Sequence, residues 1–161
     1  DNVSPSLVIT AKSINRDAGE ARAEKGISVI TVPENRWDRV DIKTVGLLPN
    51  VLAREAAKRQ GAQEAVFVDE AGHIKECAAT NVWIVTKDGT LVTRPAEYGI
   101  LRGVTRTTVM DLAEKLGLTV EERSFSVEEA RFAREMFITA ATTLVMPFVA
   151  VDGQTIGNGQ P

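Results

Sequence analysis

Between Asn81 and Pro95 the sequence reads NVWIVTKDGTLVTRP, two β-branched runs on either side of Asp88-Gly89. Asp-Gly suits a tight turn that needs positive φ, so the stretch predicts a β-hairpin. A hairpin fixes antiparallel pairing and leaves edges that further strands must cover. Candidates are plentiful: SLVITAKSI (Ser6 to Ile14), ISVITV (Ile27 to Val32), RVDI, EAVFVD, TVEERSF, EMFITAA and LVMPFVAV. In RVDI the strand period puts Val40 and Ile42 on one face and Asp41 and Lys43 on the other. EAGH and VDGQT read as turns, and the charged NRDAGEARAEKG as a loop.

Two longer segments carry helical signals. In PNVLAREAAKRQG, Pro49 suits a first helical position and Gly61 a C′ residue. From Thr105 to Leu116, Val109, Leu112, Ala113 and Leu116 recur at i, i+3, i+4 and i+7, and Gly117 ends the run. Ser126 and Glu129 form a capping box for a short helix through Ala133. The expected fold is α/β, an α+β mixed sheet with packed helices, in one domain spanning residues 1–161.

Composition narrows the function classes. With 25% charged residues and a formal net charge of -3, the chain has no basic surface for nucleic acid. Its apolar runs fall short of a membrane span, and no signal-peptide pattern is present. Cys77 is the single cysteine, which excludes an internal disulfide and fits a reducing, cytoplasmic setting. The lone His73 argues against His-rich metal sites, so no metal is expected. The chain opens at Asp1 without a methionine and closes on the turn-rich DGQTIGNGQP, which reads as a piece of a longer polypeptide.

Four places could carry chemistry. Lys43 lies in DIKTVGLLPNVLA, where Asp41 and Thr44 are the other polar side chains between Val40 and Leu48. A lysine is ordinarily a solvated surface charge; one partly desolvated at a strand end would have the lowered pKa that imine formation needs. Glu76 opens ECAATNVW, where Ala78, Ala79 and Thr80 leave room for a flat group; a plain strand carboxylate is the ordinary alternative. In GILRGVTRTTV, Gly103 precedes a helix whose first amides, at Val104 and Thr105, could bind an anion, or Thr105 could simply be an N-cap. TAATT, Thr139 to Thr143, could be strand propensity alone. Taken together, an imine-forming lysine, a carboxylate and a phosphate cradle match the needs of pyridoxal phosphate, whose ring accepts electrons while a carboxylate keeps its nitrogen protonated.

DIK, LLPNVLA, E-x-x-x-x-N (Glu76 to Asn81), ILRGVTR and FITAATT follow one another in the order found in class IV, fold type IV, pyridoxal-phosphate-dependent aminotransferases. The chain resembles that family from about Arg36 onward, and more loosely from Ser6. Within it, DIKTVGLLPNVLA is most similar to the D-amino-acid aminotransferases. The resemblance implies that Lys43 carries the internal aldimine and shuttles a proton, and that Glu76 pairs with the pyridine nitrogen. It implies that Leu101 packs on the ring, that Val104 and Thr105 bind the phosphate with Gly103 permitting the approach, and that Thr80 and Asn81 lie near the ring. At Ala141 the family commonly has a hydroxyl; here Thr142 or backbone amides must substitute. Cys77 stands where a glycine is typical and is not expected to act as a nucleophile.

The resemblance further implies that the chain is the large C-terminal domain, lacking the small N-terminal domain and the extreme C-terminus. In such enzymes the small domain brings a phosphate-binding arginine, an aromatic residue near the ring and groups for the substrate carboxylate. A homodimer completes the site, and the substrates are amino acids and 2-oxo acids. Transamination of D-amino acids is the implied reaction. A branched-chain L-amino-acid or (R)-amine aminotransferase, and less closely an aminodeoxychorismate lyase, are the alternatives within the family. A truncated domain that binds cofactor weakly, or only supports dimer packing, is the alternative of another class.

Overall fold

The computed structural model describes residues 3–97 and 99–161. Among these, nine strands form one mixed sheet: β1 (Ile27–Pro33), β2 (Glu64–Val68), β3 (Ile74–Cys77), β4 (Asn81–Val85), β5 (Leu91–Thr93), β6 (Val120–Glu122), β7 (Glu135–Ala140), β8 (Leu144–Val151) and β9 (Gln154–Thr155). Helices α1 (Arg16–Ala23), α2 (Leu48–Arg59), α3 (Val104–Lys115) and α4 (Val127–Phe132) connect them. The spatial order is β3-β2-β1-β8-β7-β4-β5-β6, with β9 paired to β8. β3 also pairs with β4, Glu76 opposite Asn81, so six strands curl back on themselves into a ring.

The period of two along the strands separates two cores. Val29, Val66, Cys77, Val82, Ile84, Met136, Ile138, Met146 and Phe148 fill the inside of the ring. The alternate residues Ile30, Ala65 and Phe67 pack instead on Ala53 and Ala57 of α2, together with Ala78. Those two alanines are one helical turn apart, and their small size lets α2 sit close to the strands. Burying a large side chain such as Phe67 or Trp83, both fully inaccessible, contributes about 1.5–3 kcal/mol each.

The Asp88-Gly89 hairpin joins β4 to β5 antiparallel, with Gly89 at φ +91°. Gly61 sits just past the α2 cap at φ +75°, as a C′ glycine does. Ser126 caps α4 by accepting from the Glu129 amide at 3.0 Å, but the Glu129 carboxylate turns to Arg123 instead of completing the box. Three expectations fail. SLVITAKSI forms no strand: it finds no partner, and Leu7, Val8 and Ile9 stand exposed. NRDAGEARAEKG is largely helix α1, capped by Asn15; it buries no residue and so carries no apolar stripe to read. RVDI is a turn in which the Ile42 amide donates to the Arg39 carbonyl and Arg39 forks onto Asp41. Val40 is buried while Ile42 is about half exposed, so the two do not share a face.

Candidate active site

Strand alternation turns Cys77 into the ring and Glu76 outward, beside Phe67. Glu76 is only 3% exposed. A buried carboxylate needs partners, and Glu76 has three. Its Oε1 accepts from Arg36 Nη1 at 2.5 Å; its Oε2 accepts from the Leu101 amide and from Asn81 Nδ2, both at 3.2 Å. Burial pushes its carboxyl above the ordinary carboxylate value, while the Arg36 charge and the Leu101 amide oppose that rise.

Arg36 was not among the residues picked out from sequence. It follows β1 in PENRW, and the only signal there is an acid two residues before a base. Its side chain is 6% exposed, forks onto Glu34 at 2.8 and 2.6 Å, and lies over the Phe67 ring at 4.4 Å from the centroid. Burial works against ionised Glu34, but Arg36 and, more weakly, Lys75 hold it below the usual carboxylate range.

Asn81 acts as a clamp. Besides Glu76 it donates to the Leu101 carbonyl at 2.8 Å, tying the start of β4 to the segment that leads into α3. A Cβ at Gly103 would collide with Asn81 Oδ1. Gly103 is therefore required first by Asn81, whatever it also permits above the helix. Gly103, not Thr105, occupies the N-cap of α3, and no side chain caps that helix end. Val104 is exposed and Thr105 half-buried. Asn50, in the first turn of α2, donates to the Ala78 carbonyl at 2.7 Å and fixes that helix against the small-residue turn after Glu76. Nothing in the periodicity of PNVLAREAAKRQG distinguishes Asn50 from a solvated polar residue.

Lys43 is exposed, so the desolvation expected from a strand-end position is absent. It does line one cleft with Arg36, Trp37, Asn50 and Leu101, and two of these, Arg36 and Leu101, are hydrogen-bond partners of Glu76. At the far side of β4, Thr139 lies opposite Asn81 and accepts from Trp83 Nε1 at 3.1 Å, so the β7–β8 turn opens at the same end of the sheet. Ala141 and Thr142 are exposed there, whereas the neighbouring Thr143 has a buried hydroxyl without a hydrogen-bond partner. The Thr80 hydroxyl is likewise buried, with the Cys77 thiol as its neighbour. Leu144, which closes that turn, holds φ +54°, a left-handed conformation unusual for a leucine. Cys77 is fully buried, and burial together with the Glu64 charge pushes its thiol well up, as suits an inert core residue.

The chain thus offers an anchored carboxylate, a lysine in the adjoining cleft, an uncapped helix end and the orphaned Thr143 hydroxyl. These are the kinds of partner that a flat group carrying a phosphate requires, so the residues present fit pyridoxal phosphate.

Comparison with known proteins bears on this arrangement. The chain is 38% identical over 153 residues to a D-alanine aminotransferase of Bacillus licheniformis, covering 95% of this chain and 53% of that protein. It therefore spans about half the length of the curated relatives it matches. The branched-chain amino acid aminotransferase from Escherichia coli superposes with a TM-score of 0.73 at 31% identity, over 85% of this chain and 48% of that one. The branched-chain aminotransferase from the thermophilic archaeon Thermoproteus uzoniensis, solved with norvaline, superposes with a TM-score of 0.75 at 31% identity, over 84% and 47%. No helix among the described residues is long and apolar enough to cross a membrane. The model of the amino-transferase class IV family matches residues 1–151. With the ordered motifs, the mixed α/β sheet and the buried Glu76 all in agreement, the chain belongs to the amino-transferase class IV family.

Proposed function

We propose that residues 1–161 form the cofactor-binding large domain of a pyridoxal-phosphate-dependent aminotransferase that exchanges amino groups between D-amino acids and 2-oxo acids. The observation that carries this reading is Glu76, a buried carboxylate anchored at both oxygens, two of whose partners, Arg36 and Leu101, line the cleft that Lys43 lines. When bound, pyridoxal phosphate supplies the electron sink that lets an amino group leave one carbon skeleton and join another. Lys43 Nζ is the group that attaches the cofactor and moves a proton during turnover. Because Lys43 is exposed in this chain, its desolvation has to come from whatever covers the cleft.

Glu76 keeps a protonated ring nitrogen in place, and the Leu101 side chain supplies an apolar wall. The amides of Val104 and Thr105 at the uncapped start of α3 take the phosphate. Thr80, next to Asn81, is a small side chain that leaves room near the ring. At the β7–β8 turn the Ala141 methyl cannot donate, so Thr142, the orphaned Thr143 hydroxyl or the turn amides complete the cradle. A homodimer in the cytoplasm is the working state; the single reduced cysteine is consistent with that compartment.

The D-specific reading draws on the D-alanine aminotransferase relatives, and the branched-chain reading on the solved structures. The protein, given pyridoxal phosphate, is assayed with D-alanine and 2-oxoglutarate, and separately with L-leucine and 2-oxoglutarate. Pyruvate formed from D-alanine, and lost in Lys43→Ala, supports the proposal. Turnover of L-leucine alone moves the chain to the branched-chain group. The half-length match favours one further reading, a domain that holds cofactor without catalysing; cofactor retention with neither substrate turned over would select it.

A further inference from the structure

The reading above gives Arg36 no task, yet Arg36 is the charge nearest to Glu76 and is as deeply buried. Its contacts are specific. Nε and Nη2 fork onto the two oxygens of Glu34, at 2.8 and 2.6 Å, and the Arg36 amide also donates to Glu34 Oε1 at 3.0 Å. That bidentate grip fixes the plane of the guanidinium, and Phe67 supports its face. With the plane fixed, Nη1 points at Glu76 Oε1, 2.5 Å away.

We propose that Arg36 is a positioning residue: held by Glu34 and Phe67, it keeps Glu76 ionised and turned so that one acceptor site stays open to the cofactor. The proposal rests on the reading of Glu76 as the partner of the ring nitrogen. An ionised carboxylate has about four acceptor sites. On Oε2 two are taken, by the Leu101 amide and Asn81; on Oε1 Arg36 takes one. Among the described residues the remaining site is on Oε1, the oxygen whose position Arg36 sets.

The other groups that face Glu76 make Arg36 indispensable to its charge. Asn81 and the Leu101 amide are neutral. Glu34 is a like charge whose repulsion Arg36 offsets, helped by Lys75, 4.0 Å from Glu34. The Cys77 thiol points into the ring and is neutral. Lys43 lines a cleft with Arg36 but is exposed and makes no ion pair with Glu76. With Arg36 gone, burial and Glu34 both favour the protonated acid, which cannot pair as an anion with a protonated ring nitrogen.

The test follows Glu76 directly, in protein free of cofactor. Glutamate labelled with carbon-13 at the side-chain carboxyl is incorporated, the Glu76 signal is assigned by its loss in Glu76→Gln, and its titration is followed by NMR. Arg36→Met moves the midpoint upward by about one pH unit or more, whereas Arg36→Lys, which restores the charge, brings it back most of the way. Pyridoxal phosphate affinity at neutral pH falls about tenfold or more in Arg36→Met and recovers in Arg36→Lys. Should Arg36→Met not fold, Arg36→Gln serves: its amide can still donate to Glu34 while the charge is gone, and the Glu76 midpoint again moves upward. A Glu76 midpoint unchanged in whichever of the two variants folds overturns the proposal. If the midpoint moves while Glu76→Gln and Arg36→Met both bind pyridoxal phosphate like the parent, Arg36 does control Glu76, and it is the assignment of Glu76 to the ring nitrogen that fails.

Discussion

Replacing Gly103 by alanine isolates the Asn81 clamp. Gly103 has φ −66° and ψ 138°, a conformation open to any residue, so the substitution introduces no backbone strain. The whole cost comes from the new methyl, which lands on Asn81 Oδ1 and 3.4 Å from its Cγ. Asn81 is 4% exposed and cannot swing into solvent. To make room it must give up its bonds to the Leu101 carbonyl and to Glu76 Oε2. Two buried acceptors that lose a donor cost roughly 1–3 kcal/mol each, with part recovered by relaxation, so Gly103→Ala should destabilise the protein by about 2–4 kcal/mol. Asn81→Ala loses the same two bonds and should cost about as much. In the double variant the methyl enters space the asparagine has left, so its added cost falls close to zero. The coupling between the two sites should then be about 2 kcal/mol or more. Urea unfolding of the four proteins, followed by circular dichroism, measures each term. Additive costs, or a Gly103→Ala variant as stable as the parent, would refute the clamp.

Two further substitutions probe the surrounding structure. Glu64 is buried, its carboxyl raised by burial against the opposing Ala65 amide and the Arg54 charge. A carboxyl raised in the folded state costs stability where it is ionised, and that cost disappears once pH falls below both folded and unfolded values. Glu64→Gln keeps the acceptor for Ala65 and should therefore be more stable than the parent at pH 7 to 8, the gap closing below about pH 4; a less stable variant at neutral pH would contradict this. Trp83→Phe removes the donor to Thr139, which is itself 1% exposed. It should lower stability by about 2–4 kcal/mol in denaturant unfolding, and adding Thr139→Val should recover about 1 kcal/mol by removing the orphaned hydroxyl.

The elements that could be read from sequence are those whose signal is local. ISVITV, the Asp88-Gly89 hairpin and the helix closed by Gly61 all appear within a residue or so of where composition places them. SLVITAKSI has the same β-branched texture as ISVITV, but a strand exists only through a partner, and texture cannot report whether one is available. RVDI failed because Arg39 prefers to fork onto Asp41 across a turn, a choice that alternation does not encode. The motifs brought Glu76, Asn81, Leu101 and Gly103 to one place because their order along the chain is the order in which β3, β4 and α3 enter the site. The support around them was not legible. Arg36 and Asn50 act through single long-range bonds, to residues 40 and 28 positions away, and neither bond leaves a period or a motif. The use Asn81 makes of the space above Gly103 is likewise a tertiary fact.

The proposed role of Lys43 as the lysine that holds the cofactor rests on its DIK motif and on its place in the cleft. Incubating the protein with pyridoxal phosphate, reducing with borohydride and mapping the modified peptide by mass spectrometry tests that directly. One dominant modification is expected, on Lys43, absent in Lys43→Ala and weakened in Glu76→Gln. Modification spread over Lys12, Lys25, Lys58 and other exposed lysines, with Lys43 no more reactive than they are, would contradict it.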